Sequence, residues 1–233
     1  MIIITGLGRC GTTLMAKWFK EMGFEMGVRM NYHEEYRAGM ELTLAYSISR
    51  DMYTDYICPY GEVRLDDPVE DAYWGVNSTI RKRIHGLYDT PETGKIEVFK
   101  DPRITWDPLI IRAWHEVIPK DIQLIICHRD FDQIRLSREV TSRQSDDNFL
   151  DPKGRKITEE FQIDFANFMT EVYRLKIPHH VFMFPDFLMD FEEMYTILHP
   201  WIGDKVIRRN AVQAFQKVMD WSLVHDYSAL AAE

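Results

Sequence analysis

Met1-Ile2-Ile3-Ile4-Thr5-Gly6-Leu7-Gly8-Arg9-Cys10-Gly11-Thr12-Thr13-Leu14 is the stretch whose reading sets the fold. Its first part is short, apolar and β-branched, the pattern of a strand buried on both faces. Glycines follow at positions 6, 8 and 11, and from Thr12 the apolar spacing becomes helical. A strand, a glycine-rich turn and a helix make a frame for holding an anion. Glycine lets the backbone bend so that successive N–H groups converge on one charge. The helix N-terminus adds its partial positive charge, and threonine hydroxyls add donors. Gly6 and Gly11 stand at the two glycine positions of a nucleotide-binding P-loop, and Thr13 at its Ser/Thr position. Thr12 stands where that loop carries lysine, and the cation is instead Arg9, inside the loop. Without the lysine that bridges β- and γ-phosphates, the loop suits a shorter anion, such as a 5′-phosphate carrying a transferable group.

Outward from this loop, apolar runs at 96–99, 123–127 and 181–184 read as further buried strands. Helical patterns occupy 12–22, 108–117, 131–143, 158–175 and 191–199. Strands alternating with helices of this length imply βαβ crossovers, hence an α/β fold with a mostly parallel sheet flanked by helices, of P-loop type. Residues 28–94 break the rhythm. A helix is expected at 37–52, then loop-like sequence such as Cys58-Pro59-Tyr60-Gly61. The segment reads as an insertion on the substrate side of a single domain spanning 1–233, over the sheet's C-terminal edge. Residues 145–156 read as a mobile loop.

The 233 residues carry a net charge of −9, which argues against a nucleic-acid partner or a polybasic membrane partner. An acidic protein that holds an anion must gather its basic groups in one place. Cys10, Cys58 and Cys127 are odd in number and lack metal-site spacing, so they read as free thiols of a reducing compartment. With no apolar segment of membrane-spanning length and no cleavable leader pattern, the expected location is cytoplasmic. Oligomeric state has no signal.

Three further groups carry chemistry. His128-Arg129-Asp130 ends the apolar run 123–127, and Ser137 follows eight residues after Arg129, two helical turns on. Both side chains can reach one phosphate at the sheet's edge. Lys100-Asp101-Pro102-Arg103 ends the run 96–99, and Pro102 stops that strand with the lysine at the cleft. His33-Glu34-Glu35-Tyr36-Arg37 places an imidazole and two carboxylates in the segment after the first helix.

Gly8-Arg9-Cys10-Gly11-Thr12-Thr13-Leu14 resembles the 5′-phosphosulfate loop of the sulfotransferases, (Lys/Arg)-Ser-Gly-Thr-Thr-Leu, with Cys10 where that family mostly has serine. The resemblance implies 3′-phosphoadenosine 5′-phosphosulfate (PAPS) as donor, 3′-phosphoadenosine 5′-phosphate (PAP) as product, and no required metal. It implies that Gly8, Arg9, Cys10, Gly11, Thr12 and Thr13 hold the 5′ end, and that Arg129 and Ser137 grip the 3′-phosphate. Lys-Asp-Pro segments occur in several of these enzymes, including the tyrosylprotein type, and by that likeness Lys100 contacts the sulfuryl group.

Sulfuryl transfer resembles phosphoryl transfer, with in-line geometry and charge on peripheral oxygens. It asks for cations and for a base that takes the acceptor's proton. Arg9 then stabilises the leaving phosphate oxygen, and Glu35 is the base by likeness to a Glu-Glu-Thr-Arg segment. Glu34 and His33 are near rivals, and Asp101 is a weaker one. The acceptor is expected to be a hydroxyl (or amine) on a carbohydrate or other small molecule. Residues 180–188 resemble the family's strand followed by Glu-Asp-Leu, a packing element, and Arg208 and Arg209 are additional candidates for the 3′-phosphate. Two other readings stay open: a P-loop kinase using ATP and Mg²⁺, which would want lysine at position 12, and a non-catalytic nucleotide-binding protein of the same fold.

Overall fold

The computed structural model describes residues 1–26, 48, 49, 52, 84, 96–118, 122–144 and 159–219. Strand β1 (Ile2–Thr5) leads through the glycine turn into helix α1 (Thr12–Glu21). Strand β2 (Val98–Lys100) follows, then helix α2 (Pro108–Val117), strand β3 (Gln123–His128) and helix α3 (Phe131–Gln144). Helix α4 (Glu159–Arg174), strand β4 (His179–Met183), helix α5 (Phe191–Ile202) and helix α6 (Arg208–Val218) complete the described chain. The four strands form one parallel sheet in the order β2-β1-β3-β4. The chain therefore goes from β1 to one side and then crosses back to the other. Between β1 and β3 lies a topological switch point, where an open α/β sheet forms its ligand crevice.

Alternation along each strand separates two cores. Ile2 and Ile4 of β1, with Ile125 and Cys127 of β3, face α1, α5 and α6. Ile3, Leu124 and Ile126 face α2 and α4. Because both faces are covered, the strands read as unbroken apolar runs. Trp18, fully buried, anchors α1 to α6 by donating from Nε1 to the Ala211 carbonyl at 3.0 Å. Asp107 caps α2 by accepting from the Leu109 N–H at 2.8 Å, with Pro108 in the first turn, where a missing N–H costs nothing.

Several element ends differ from the sequence expectation by one residue, and β2, β4 and α5 differ by more. β2 begins at Val98 and includes Lys100, because Lys100 pairs in register with Ile4, while the Glu97 N–H is taken by the Glu25 carbonyl. β4 begins at His179 and ends before Phe184, since pairing with β3 runs from Leu124↔His179 to His128↔Met183. α5 continues through Pro200 to Ile202, its last turn held by Leu198 and Ile202 in the core. Ile48, Met52 and Ile84, from the expected insertion, are buried in the second core. The expected helix at 37–52, apart from 48, 49 and 52, and the expected loop at 145–156 lie outside the described residues.

α2 and α4 are tied by charge. Glu171, 5% exposed, accepts from Arg112 Nε and Arg174 Nε, both at 2.7 Å. Burial pushes its carboxyl up, but the hydrogen bonds and charges of the two arginines overcome this and pull it down to about 2. A carboxyl depressed in the folded state adds stability above its unfolded pKa, and that stability is lost as pH falls through the folded value. Stability should therefore drop between about pH 4.5 and pH 2, with Glu171 contributing close to one proton to the slope. Urea midpoints across that window should show a shallower dependence in Glu171→Gln, which should also lose about 2 kcal/mol at neutral pH.

Candidate active site

The glycine turn sits at the switch point because nothing larger than glycine fits two of its positions. A Cβ at Gly6 would lie 2.2 Å from the Cys127 carbonyl oxygen, so the loop passes directly against the backbone of β3. Gly11 has φ +82°, a left-handed conformation, and a Cβ there would lie 2.4 Å from the Phe184 ring. Gly11 is also the N-cap of α1, and no side chain caps that helix and no acidic residue occupies its first turn. A helix start arranged this way offers its donors and partial charge to an external anion.

Two cations come to this loop from neighbouring strands. Lys100, 3% exposed at the end of β2, donates from Nζ to Thr13 Oγ1 at 2.8 Å. Lys100 thus lies against the hydroxyl at the loop's Ser/Thr position. Arg129, 3% exposed just after β3, donates from NH1 to the Arg9 carbonyl at 3.4 Å and from Nε to Gln133 Oε1 at 2.9 Å. Arg9 itself, at φ +60°, donates from Nε to Ser137 Oγ at 3.1 Å. Arg9, Arg129 and Ser137, separated by up to 128 residues, therefore form one connected group.

Other expected residues fall differently. Cys10 is fully buried, its thiol turned to the Gly8 carbonyl at 3.2 Å, so the exchange of serine for cysteine keeps the side chain inside the loop. Thr12 is 4% exposed and also packs inward. Asp101, the weaker candidate base, is fully buried. Its Oδ1 accepts from the Arg103 N–H at 3.0 Å and Arg103 NH1 at 3.2 Å. Burial pushes its carboxyl up, with Arg103 and the nearby Ser49 hydroxyl pulling the other way. This carboxylate shapes the turn after Lys100 and is not presented to an acceptor. Arg208, an additional candidate for the 3′-phosphate, is exposed at the start of α6 and is paired with Glu192 of α5. Glu35, Glu34 and His33 lie outside the described residues.

Sequence reasoning missed Gln133 and Phe184. Gln133 carries a signal after the fact: it lies one helical turn before Ser137 and four residues after Arg129. Phe184 carries none, because its neighbours Gly11 and Arg129 are distant in sequence.

No family model matches this sequence, and no curated protein matches it. Among solved structures, the chain is similar to sulfotransferase STF1 from Mycobacterium tuberculosis H37Rv, with a TM-score of 0.50 at 15% identity, over 94% of this chain and 71% of the other. The fold is that of a sulfotransferase. A sulfotransferase domain from the curacin biosynthetic pathway also aligns, with a TM-score of 0.45 at 12% identity over 96% of this chain and 88% of that one. In this chain the loop after β1 and the end of β3 meet where Arg129 donates to the Arg9 carbonyl. Among the described residues no helix is long and apolar enough to cross a membrane.

The loop geometry makes a graded prediction. Gly6→Ala sets a methyl against backbone that cannot rotate away, and should cost about 3 kcal/mol, or roughly 10 °C in Tm. Gly11→Ala meets a side-chain ring and no backbone, but it also puts a Cβ on a left-handed residue, so it should cost somewhat less, about 2 kcal/mol. Thermal melts of the two variants check the order; a Gly6→Ala protein as stable as wild type contradicts the close approach.

Proposed function

We propose that this protein is a sulfotransferase that moves a sulfuryl group from PAPS to a hydroxyl (or amine) acceptor on a carbohydrate or other small molecule. The observation that carries the reading is the convergence of Arg9, Arg129 and Ser137 beside an uncapped, glycine-led helix start. The donor set consists of cations, hydroxyls and helix N–H groups, which suits a nucleotide phosphorylated at two positions. Gly8, Arg9, Cys10, Gly11, Thr12 and Thr13 would hold the 5′-phosphosulfate, the buried Cys10 and Thr12 through their backbone. Arg129 and Ser137 would hold the 3′-phosphate.

Bound PAPS supplies an activated sulfuryl group on a phosphate leaving group. Lys100, held at Thr13, is set to stabilise charge on the peripheral oxygens, and Arg9 to stabilise charge on the leaving phosphate oxygen. Glu35 is assigned the acceptor's proton, with Glu34 and His33 as its rivals. The absence of a P-loop lysine from position 12 and the burial of Thr12 weigh against an ATP-dependent kinase.

Thermal shift tests the donor. PAP should stabilise the protein well beyond ADP or AMP at equal concentration, by several degrees at about 100 times Kd. Arg129→Ala should bring PAP down to the level of AMP. Equal responses to all three nucleotides in the wild type reject the donor. For the base, Glu35→Gln should lower kcat by about 100-fold or more while PAP affinity holds, measured by sulfate transfer and calorimetry. Full activity in that variant moves the role to a neighbour.

A further inference from the structure

Arg129 is nearly buried, and the manner in which it is held is unusual for a buried cation. Gln133, half-buried one turn along α3, accepts from Arg129 Nε at 2.9 Å. The Phe184 ring lies under the guanidinium, with Cζ 5.1 Å from the ring centroid. Phe184 is itself fixed, since its N–H donates to the His128 carbonyl at 2.6 Å, one residue before Arg129. The same ring stands 2.4 Å from the point where a Cβ on Gly11 would fall. One aromatic ring therefore touches both the phosphate loop and the arginine.

Both contacts restrain the guanidinium without neutralising it. A carboxamide accepts a hydrogen bond but carries no charge, whereas a carboxylate at position 133 would pair with the arginine and cancel the charge offered to an anion. A phenyl face attracts the cation through its quadrupole and uses none of the in-plane N–H donors. An arginine held in one orientation before binding gives up little side-chain freedom when an anion arrives.

We propose that Phe184 and Gln133 are positioning residues that set selectivity for a nucleotide carrying a second phosphate, by clamping Arg129 against the loop that holds the first. The inference rests on the reading of Arg129 as the 3′-phosphate ligand, and adds the residues through which that ligand works. Loss of either clamp should weaken PAP selectively, because AMP lacks the phosphate that Arg129 would hold. General loosening of the loop would weaken both nucleotides alike.

Calorimetric Kd values for PAP and AMP, measured on the full chain, separate these cases. Gln133→Ala and Phe184→Leu should each reduce the AMP-to-PAP Kd ratio by about fivefold or more, with AMP affinity within about twofold of wild type. Gln133→Glu should reduce the ratio further, and Phe184→Tyr should restore it. If Phe184→Leu does not fold, the two Gln133 variants decide. An unchanged ratio in Gln133→Ala and Gln133→Glu, or equal losses for both nucleotides, overturns the positioning role and leaves the donor reading intact. A wild type with no preference for PAP removes the donor reading and this inference together.

Discussion

The approach of the glycine turn to the backbone of β3 is the constraint on which the remaining architecture depends. With Gly6 set against the Cys127 carbonyl, the chain leaves β1, crosses the end of the neighbouring strand and only then enters α1. Anything larger at that position would push the turn outward and open the space between the loop and Arg129. The same closeness brings Phe184, two strands away from β1, into contact with Gly11. Backbone packing therefore comes first, and the charged groups are mounted on it.

Those charged groups set a second condition. The protein is acidic as a whole, yet Lys100 and Arg129, each 3% exposed, are drawn to one loop from two different strands. Burying like charges near one another is unfavourable unless their hydrogen-bonding needs are met. Thr13, Gln133 and the Arg9 carbonyl meet part of that need here, and all three are neutral acceptors. Each of these contacts satisfies a donor without bringing a carboxylate to it. Elsewhere the chain treats its charges differently: Arg112 is matched to the carboxylate of Glu171 and Arg208 to that of Glu192, pairs that join one helix to another, while Arg174 pairs with Glu171 within α4.

Much of this was legible along the chain. The strand, turn and helix at the start, the alternation of elements and the parallel sheet followed from apolar periodicity and glycine placement, which are local properties. Arg129 and Ser137 were legible as a pair through the spacing they share with the sulfotransferases, one at the end of β3 and the other in the helix that follows. Strand ends were less so. β2 and β4 are shifted by one or two residues from their apolar runs, since a strand ends where its neighbour stops pairing and not where its own hydrophobicity stops.

What the sequence by itself determined is the kind of site: a glycine-led helix start with an internal arginine in place of the usual lysine, backed by a second basic group one crossover away. What only the tertiary structure decided is the wiring of that site. Lys100 reaches Thr13 because β2 lies parallel to β1 in one particular register, and Phe184 reaches both Gly11 and Arg129 because β4 lies next to β3. Contacts between residues 55 to 173 positions apart depend on strand order and register, which are settled by burial across the whole sheet and have no counterpart in local spacing.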